Sequence, residues 1–359
     1  MSKHLRLDPA KRVPLLKVQD EGKESIPASP PHSADNTQQG DSSDGQQTHA
    51  SIRFIGTATT IIEWQGVRVL TDPNFLHAGD HVHLGPGVTS KRLTNPAMDL
   101  HELPPIDCIL LSHYHEDHFD RLVEASLTRR FPIITTPHAM DCLVSSSREV
   151  EDQFTNVTSL EPFETALLRM GSAESEGKGG HSLPALKVTG TPGQHIPPGP
   201  LALANDYLKA VPPTNGWLVE FGVVDDAAAD SLSHVGYRMY ISGDTVYYDD
   251  LKEIPKSLGG KTVDLMLIHL GGTMIPGPSA PLVMVTMDAK QGIQLMRLIR
   301  PDTTIPIHFD DYDIMLSPLS DFKDLVAGSE FRDRVVYLDR GEKYDFQVRP
   351  REGSMPRRT

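Results

Sequence analysis

The sequence predicts a mixed α/β fold in which β-sheets are packed between layers of helices. Strand patterns follow each other closely over 52–71, and strand and helix patterns alternate from there to the C-terminus. The run at 106–112 is apolar almost throughout, as expected of a strand that is buried on both faces. A sheet buried on both faces needs cover on each side, which favours sheets sandwiched between helices.

Individual elements can be placed from apolar spacing and from turn residues. Strands are predicted at 52–55, 59–64, 68–71, 106–112, 132–136, 185–189, 216–221, 237–242, 264–270, 304–308, 335–338 and 343–348. Helical spacing predicts helices over 119–130, 288–299 and 319–327. Three connections are long enough to be functional or disordered, namely 75–105, 171–183 and 196–215.

The chain divides into a folded domain over 51–348 and two tails. Residues 19–50 are rich in Ser, Gln, Asp, Gly and Pro, and large apolar side chains are scarce there. Such a segment buries too little apolar surface to offset its ordering entropy. We therefore expect a disordered leader over 1–50 and a disordered tail over 349–359.

The composition excludes several classes of protein. Lys and Arg total 34 and Asp and Glu total 48, so the net charge is −14 at pH 7, which argues against a nucleic-acid partner. The 2 cysteines cannot form a disulfide framework or a Cys-rich zinc site. There is neither an apolar stretch of transmembrane length nor the apolar core of a signal peptide. We expect a cytoplasmic protein without stable membrane association.

A dense set of metal-binding side chains follows the apolar run, where residues 112–120 read SHYHEDHFD. His113 and His115 point to the same side of an extended segment because side chains repeat every two residues. They can therefore hold one ion, while Asp117 and His118, where the loop turns toward a helix, can hold a second. The competing interpretation is a solvated polar loop, which this density of ligand types disfavours.

The motif H-x-H-x-D-H resembles that of the metallo-β-lactamase superfamily. Three later segments support the resemblance: TGTPGQH, which ends at His195, ISGDT, which contains Asp244, and PIHFD, which contains His308. Each segment is weak evidence alone, but together with the motif they occur in the family's order. The resemblance implies a four-layer αβ/βα sandwich with a metal site at one edge, between the two sheets.

The resemblance also implies a ligand set and cofactors. The expected ligands are His113, His115 and His195 for one ion, Asp117, His118 and His308 for a second, and Asp244 as a bridge. The expected cofactors are two divalent metal ions. Zn²⁺ is the leading expectation for their identity, and Mn²⁺ or Fe²⁺ accept the same ligands. Two such cations can supply a bridging hydroxide near neutral pH and polarise a carbonyl or phosphoryl oxygen. Asp117 and Asp244 are therefore the expected catalytic residues, and Asp117 is a candidate for protonating the leaving group.

Residues around the motif narrow the resemblance. Phe119 and Asp120 stand where glyoxalase-II-like thioesterases usually have Gly-Gly, and His115 stands where flavodiiron proteins have Glu. The segments FIGTA at 54–58 and LDRGE at 338–342 are similar to the ascorbate-6-phosphate lactonase-like branch. The N-acylphosphatidylethanolamine phospholipase D-like group is also similar.

Other polar residues are weaker candidates. Substrate contacts are predicted at Tyr114, His81, His83, Asp311 and Tyr312. For His81 and His83 the alternative is a plain surface position. Asp72 and Asp120 could each orient a ligand imidazole, or could instead form an Asp-Pro turn and a helix cap respectively. His269 lies on a predicted buried strand and is interpreted as a core histidine.

Three functions follow from these features. The leading prediction is a hydrolase that uses a metal-bridging hydroxide on a small carbonyl substrate, a lactone or a lactam. The second is a phosphodiesterase acting on a phospholipid or a cyclic nucleotide, although no basic amphipathic helix is evident for binding a lipid surface. The third is an inactive metal-binding protein, which the complete set of expected ligands disfavours. The oligomeric state does not follow from the sequence.

Overall fold

The structure is a computed structural model that describes residues 2–17, 47–171, 182–208, 211–225 and 229–349. Within these ranges the strands are β1 (Lys3–Leu7), β2 (Thr48–Gly56), β3 (Thr59–Trp64), β4 (Val67–Thr71), β5 (His81–His83), β6 (Thr89–Lys91), β7 (Cys108–Leu110), β8 (Ile133–Thr135), β9 (Val157–Ser159), β10 (Thr165–Met170), β11 (Leu183–Pro192), β12 (Asn215–Val224), β13 (His234–Ile241), β14 (Leu265–His269), β15 (Gly271–Gly277), β16 (Ala280–Met284), β17 (Thr303–Ile307), β18 (Met315–Ser317) and β19 (Lys343–Val348). The α-helices of the same ranges are α1 (Arg121–Ser126), α2 (Pro137–Val144), α3 (Pro200–Leu208), α4 (Glu253–Ser257), α5 (Ala289–Ile299) and α6 (Leu319–Ala327).

Two seven-stranded sheets form the middle of the fold. Their strand orders are β1-β10-β11-β12-β13-β14-β17 and β19-β2-β3-β4-β7-β8-β9. The strands β13, β14 and β17 are parallel neighbours in the first sheet, and β4, β7, β8 and β9 are parallel neighbours in the second. Parallel neighbours end at the same edge of a sheet, so the segments that follow β7, β13, β14 and β17 are brought to the sheet edges.

The core has three layers of apolar contacts. Ile62 and Leu267 belong to a large cluster between the two sheets. The next residue back on each strand points the other way: Met266 packs with the helices α4, α5 and α6, and Ile61 packs with α1 and α2. The order helices, sheet, sheet, helices confirms the predicted four-layer αβ/βα sandwich.

The N-terminal residues correct the prediction of a disordered leader over 1–50. Residues 3–7 form β1, which pairs with β10 and places Leu7 in the core between the sheets. Leu16 packs against the cluster under α1, and Arg12 Nε donates to Asp107 Oδ1 at 2.8 Å. An edge strand and a few apolar anchors therefore order the first residues, although their composition is polar. Most of the predicted leader, 18–46, lies outside the described residues, as does 350–359 of the predicted tail.

Several element predictions also need revision. The helix predicted over 119–130 is shorter, because Asp120 caps α1 through Val123 N and the chain leaves the helix after Ser126. The strand predicted at 335–338 is reduced to a single bridge between Val335 and Thr304. Most of the loop predicted over 171–183 lies outside the described residues. The longest helix of the described ranges, α5, has 11 residues, and none of these helices has the length and hydropathy to cross a bilayer.

Candidate metal centre

The first group of ligand side chains lies at the edge between the sheets. His113 and His115 follow β7, and His195 follows β11. One ligand atom of each lies within 4.8 Å of the others. The rings of His113 and His195 are 4.6 Å apart, centroid to centroid. His195 Nδ1 donates to the Val285 carbonyl oxygen at 3.1 Å, which leaves its Nε2 as the nitrogen with a free lone pair.

The second group adjoins the first. His118 Nε2 lies 3.2 Å from Asp244 Oδ2, and His308 Nε2 lies 3.3 Å from the same oxygen. Asp117 Oδ2 is 3.5 Å from His308 Nε2. His308 Nδ1 donates to the Leu270 carbonyl oxygen at 3.0 Å, so its Nε2 is also directed at the carboxylates. The ligand atoms of these four residues all lie within 4.8 Å of one another.

Both groups fit divalent cations. Within the described chain, four buried side-chain atoms in them have no hydrogen-bond partner: His113 Nε2, His115 Nε2, His195 Nε2 and Asp117 Oδ1. Leaving a polar atom buried and unpaired is costly, so such atoms call for a further partner. Imidazole nitrogens and carboxylate oxygens are ligands that Zn²⁺, Mn²⁺ and Fe²⁺ accept.

The protonation of the two groups suits this role in different ways. Burial lowers the pKa of His195 to about 4, so its imidazole is neutral near pH 7, as a metal ligand must be. The pKa of His118 lies well above its usual value. Burial acts to lower this pKa, but the carboxylates of Asp244, Asp117 and Asp72 outweigh burial and raise it. For Asp244, burial raises the pKa, but His308 and His118 outweigh it and hold the pKa well below its usual range. The second group is thus a compact set of opposite charges that a cation would reorganise.

Asp72 lies behind the second group, and its role in orienting a ligand imidazole stays a prediction. Its Oδ1 accepts hydrogen bonds from Ser112 N at 2.7 Å and from Ser112 Oγ at 2.9 Å, and its Oδ2 lies 3.5 Å from His118 Nδ1. Its backbone adopts the left-handed region, with φ at 35°, and His308 does so at 58°. Residues other than glycine occupy that region at a cost, and such strain concentrates at functional sites.

A family model described as "Beta-lactamase superfamily domain" matches residues 67–309. The chain belongs to the beta-lactamase superfamily. The match spans every ligand candidate of both groups. It also agrees with the resemblance drawn from the motif.

Relatives of two kinds are similar to this superfamily member. A UPF0173 metal-dependent hydrolase of Archaeoglobus fulgidus is 24% identical over 295 residues, which cover 82% of this chain and 98% of that protein. N-acyl-phosphatidylethanolamine-hydrolyzing phospholipase D 1 of Caenorhabditis elegans is 25% identical over 304 residues, which cover 81% of this chain and 74% of that protein. Because the two identities are nearly equal, the branch within the superfamily stays a prediction.

A solved structure supports the fold. The crystal structure of an isothiocyanate hydrolase from Delia radicum gut bacteria aligns with a TM-score of 0.62 at 16% identity, covering 83% of this chain and 99% of that one. At this identity the similarity concerns the fold alone.

The weaker candidates of the sequence lie in different places around the superfamily site. Tyr114 Oη donates to the Glu124 carboxylate at 2.8 Å, on the side of α1. Asp311 and Tyr312 are almost fully buried, and Tyr312 Oη accepts from Asn74 Nδ2 at 2.8 Å. Asp311 Oδ2 accepts from Thr57 N at 2.6 Å. As substrate contacts these three residues stay predictions, although each of them is bonded to the protein.

The remaining candidates are the histidines of β5 and one aspartate. His81 and His83 are exposed on the hairpin β5-β6, and His83 N donates to Glu116 Oε2 at 2.7 Å, which ties the hairpin to the motif loop. Asp120 does not orient a ligand imidazole through any hydrogen bond of the described residues. Its two oxygens accept instead from Val123 N and Phe75 N, so Asp120 caps α1.

Two residues that the sequence reasoning did not assign to the site contact Asp244. His269 Nδ1 lies 3.0 Å from Asp244 Oδ1, and Thr286 Oγ1 donates to Asp244 Oδ2 at 3.1 Å. The position of His269 contained a usable signal, because it ends a strand whose parallel neighbours lead to Asp244 and His308. Thr286 carried no comparable signal.

A narrow cleft opens above the ligands. Apart from His115, Asp117, His195 and Asp244, it is lined by apolar side chains and threonines: Leu84, Val211, Thr273, Ile275, Val285 and Thr286. Val211 lies in the long connection predicted over 196–215, and α3 of the same connection contributes Ala202 and Asn205 to a neighbouring pocket. The cleft is therefore small and uncharged away from the ligands themselves.

Proposed function

We propose that this protein is a metal-dependent hydrolase that cleaves a small cyclic ester or amide, a lactone or a lactam. The observation that carries the proposal is the pair of adjacent ligand groups with unpaired buried atoms below a cleft. Membership of the beta-lactamase superfamily and the name of the archaeal relative support hydrolysis. When two divalent cations are bound, they supply hydroxide near neutral pH and polarise the oxygen of the scissile carbonyl.

The protein's own residues position charge and protons around the reacting bond. Asp244 belongs to the second group and presents one oxygen to both His118 and His308. Burial raises the pKa of Asp117, but His118 and His308 outweigh it and lower that pKa to about 2. Asp117 is therefore a carboxylate at neutral pH, able to accept a proton from the attacking water and return it to the leaving group.

The cleft favours a compact neutral substrate. Its lining beyond the ligands consists of aliphatic side chains and threonine hydroxyls. No lysine or arginine is among the described residues that line it, so a remote anionic group of a substrate would have no counter-charge there. Desolvating such a group without a partner is costly.

Phosphodiester hydrolysis is the second candidate. It is favoured by the similarity to the phospholipase D of Caenorhabditis elegans. A phosphodiester would use the same ligand groups, because divalent cations also stabilise the attacking and leaving oxygens of a phosphoryl group. An inactive metal-binding protein is the third reading, and only turnover separates it from the other two.

The test is turnover by Zn²⁺-loaded and Mn²⁺-loaded protein on a panel of lactones, lactams and phosphodiesters. Asp244→Asn and His113→Ala should each lower carbonyl hydrolysis by more than about 100-fold, because even residues that only support metal ligands are worth 10–100-fold. Asp250→Asn, the same substitution at an exposed aspartate, is the matched control and should keep full activity.

The outcomes separate the candidates. Carbonyl turnover that disappears in Asp244→Asn supports the proposal. Phosphodiester turnover alone would replace it with the second candidate. Wild-type turnover in either ligand variant would disprove the site assignment, and metal binding without turnover on any substrate of the panel would favour the inactive protein.

A further inference from the structure

A second cavity lies beside the metal cleft and has two lining residues in common with it. This side pocket has a volume of about 240 Å³ and is lined by residues that include Gln194, His195, Ile196, Ala202, Asn205 and Val211. His195 and Val211 also line the metal cleft, so the two cavities share a wall. An arm of a substrate whose reacting bond lies at the ligands would have to pass His195 and Val211 to enter the side pocket.

The wall of the side pocket combines apolar side chains, among them Ile196, Ala202 and Val211, with uncharged polar ones. Ile196, Val211 and Val285 form a small buried cluster, against which Ala202 of α3 and Val283 of β16 pack. The described residues that line the pocket include no Lys, Arg, Asp or Glu. A charged group placed here would lose its hydration without gaining a counter-charge, which favours an uncharged occupant.

The polar groups of the pocket are mostly occupied within the protein. Asn205 Nδ2 donates to the Val211 carbonyl oxygen at 2.9 Å, and Asn205 Oδ1 accepts from Val211 N at 2.9 Å. Both ends of this amide are therefore used to hold Val211 in the wall. His195 uses its Nδ1 for the Val285 carbonyl oxygen.

Gln194 differs from these residues. Its backbone is fixed, because Gln194 N donates to Thr245 Oγ1 at 2.9 Å and Gln194 O accepts from Val246 N at 2.8 Å. Its side-chain amide makes no hydrogen bond with any described residue, although it is half-buried in the pocket next to His195. It offers one donor group and one acceptor to a ligand.

We propose that the side pocket binds an uncharged aliphatic arm of the substrate and that Gln194 hydrogen-bonds a neutral polar group on that arm. The proposal rests on the proposed function for the position of the scissile bond. It adds the substrate class: a small ring that carries a short neutral chain, in preference to an unsubstituted ring or one with a charged chain.

The experiment compares γ-butyrolactone with three γ-substituted derivatives whose arms have equal length and differ at the end. The arms are pentyl, 4-carbamoylbutyl and 4-carboxybutyl. For metal-loaded wild type, we expect kcat/KM for the two neutral arms to exceed that for the carboxylate arm by about 10-fold or more. Equal turnover of the neutral and the charged arms would overturn the proposal.

Two variants locate the arm. Ala202→Leu fills the side pocket from α3 and should lower kcat/KM for the pentyl and carbamoylbutyl lactones by about 10-fold, while leaving that for γ-butyrolactone unchanged. Gln194→Met keeps the chain length and removes the amide, so it should lower kcat/KM about 2- to 10-fold for the carbamoylbutyl arm alone. Leu203→Met, at an exposed residue of the same helix, is the matched control. An equal effect of Ala202→Leu on all four lactones would also overturn the proposal.

A binding measurement separates this proposal from the proposed function. Hexanamide, a neutral amide with an aliphatic chain, is titrated into the metal-loaded protein and its variants by calorimetry. If no lactone is hydrolysed but hexanamide binds and both pocket variants weaken it, the side pocket stands and the proposed function fails. Hydrolysis that is insensitive to the arm, together with no hexanamide binding, would leave the proposed function and remove the side pocket. If the protein neither hydrolyses a lactone nor binds hexanamide, both proposals fail.

Discussion

His269 Nδ1 lies 3.0 Å from Asp244 Oδ1, and both side chains are buried. The other carboxylate oxygen accepts from Thr286 Oγ1 and faces the imidazoles of His118 and His308. Burial lowers the pKa of His269, although the hydrogen bond to Asp244 opposes it, so the ring is neutral near pH 7 and its Nδ1 carries the donated proton. The protein thus fixes the orientation of the carboxylate that faces both His118 and His308.

Replacing His269 should weaken metal binding without removing a ligand. We expect His269→Phe to lower the affinity for Zn²⁺ about 10- to 100-fold, the usual effect of losing a group that orients a ligand. His269→Gln, which retains a side-chain N–H donor, should recover part of that loss. Chelator competition with metal analysis measures both. An unchanged affinity in His269→Phe would mean that the contact with Asp244 serves packing alone.

Metal removal should lower the stability of the fold itself. The unpaired buried atoms of His113, His115 and His195 gain partners only when a ligand is bound, so a cation should bind the native state in preference to the unfolded chain. At a free Zn²⁺ concentration about 100 times Kd, one site adds about 2.7 kcal/mol to the free energy of unfolding. Denaturant unfolding with EDTA, and again after Zn²⁺ is restored, measures the difference. Asp244→Asn should show a smaller gain, and equal stability in both conditions would contradict a built metal site.

The motif was readable from the sequence because its ligands are nearly contiguous. The period of two along an extended segment places His113 and His115 together, and the apolar run before them identifies the strand that carries them. His195, Asp244 and His308 were placed by resemblance, since strand order alone does not bring residues so far apart into one site. The contacts of His269 and Thr286 with Asp244 depend on how β14 and the segment after β16 pack, which one-dimensional patterns do not contain.

The structure of the N-terminus and of the loop after His308 could not be predicted from the sequence. Residues 3–7 have an alternating but weak strand pattern, and their place beside β10 follows from an unpaired sheet edge rather than from their composition. Asp311 and Tyr312 were expected to contact substrate because they follow the predicted ligand His308. Their burial results from long-range partners such as Thr57 and Asn74, whose positions are set by the other sheet.

Asp311 should contribute strongly to stability. It is fully buried, accepts from Thr57 N at 2.6 Å, and is contacted by Thr94 Oγ1 and Arg340 Nη2. Asp311→Asn leaves the Arg340 guanidinium without its buried counter-charge, so we expect a loss of about 3–5 kcal/mol in the free energy of unfolding.

Urea denaturation measures the loss, and KM for a hydrolysed lactone shows whether Asp311 also contacts substrate. Asp313→Asn is the control, because Asp313 accepts from Ser90 Oγ and Lys91 N without a buried cation and should lose about 1 kcal/mol or less. A stable Asp311→Asn variant with a raised KM would favour the predicted substrate contact over the structural role.

A cross-strand charge cluster in the first sheet predicts a specific dependence of stability on pH. Glu220 of β12 accepts from Lys187 Nζ of β11 at 2.8 Å and from Arg238 Nε of β13 at 3.0 Å. These three residues are directly opposite each other in the strand register. Burial raises the pKa of Glu220, but Lys187 and Arg238 outweigh it and hold that pKa below its usual value.

A group whose pKa is lower in the folded than in the unfolded state stabilises the fold above its unfolded pKa, about 4.3 for Glu, and loses that contribution as the pH falls through the folded value. We expect Glu220→Gln to lower the free energy of unfolding by about 1.5–3 kcal/mol at pH 7. The difference from wild type should shrink below about pH 4.3 and vanish once Glu220 is protonated in the folded protein. Urea denaturation from pH 7 to pH 3 measures it, with Glu253→Gln at an exposed pair with Lys256 as a control that should change little at any pH. A difference that stayed constant across this range would show that Glu220 acts through its shape and packing, since its charge would then contribute nothing.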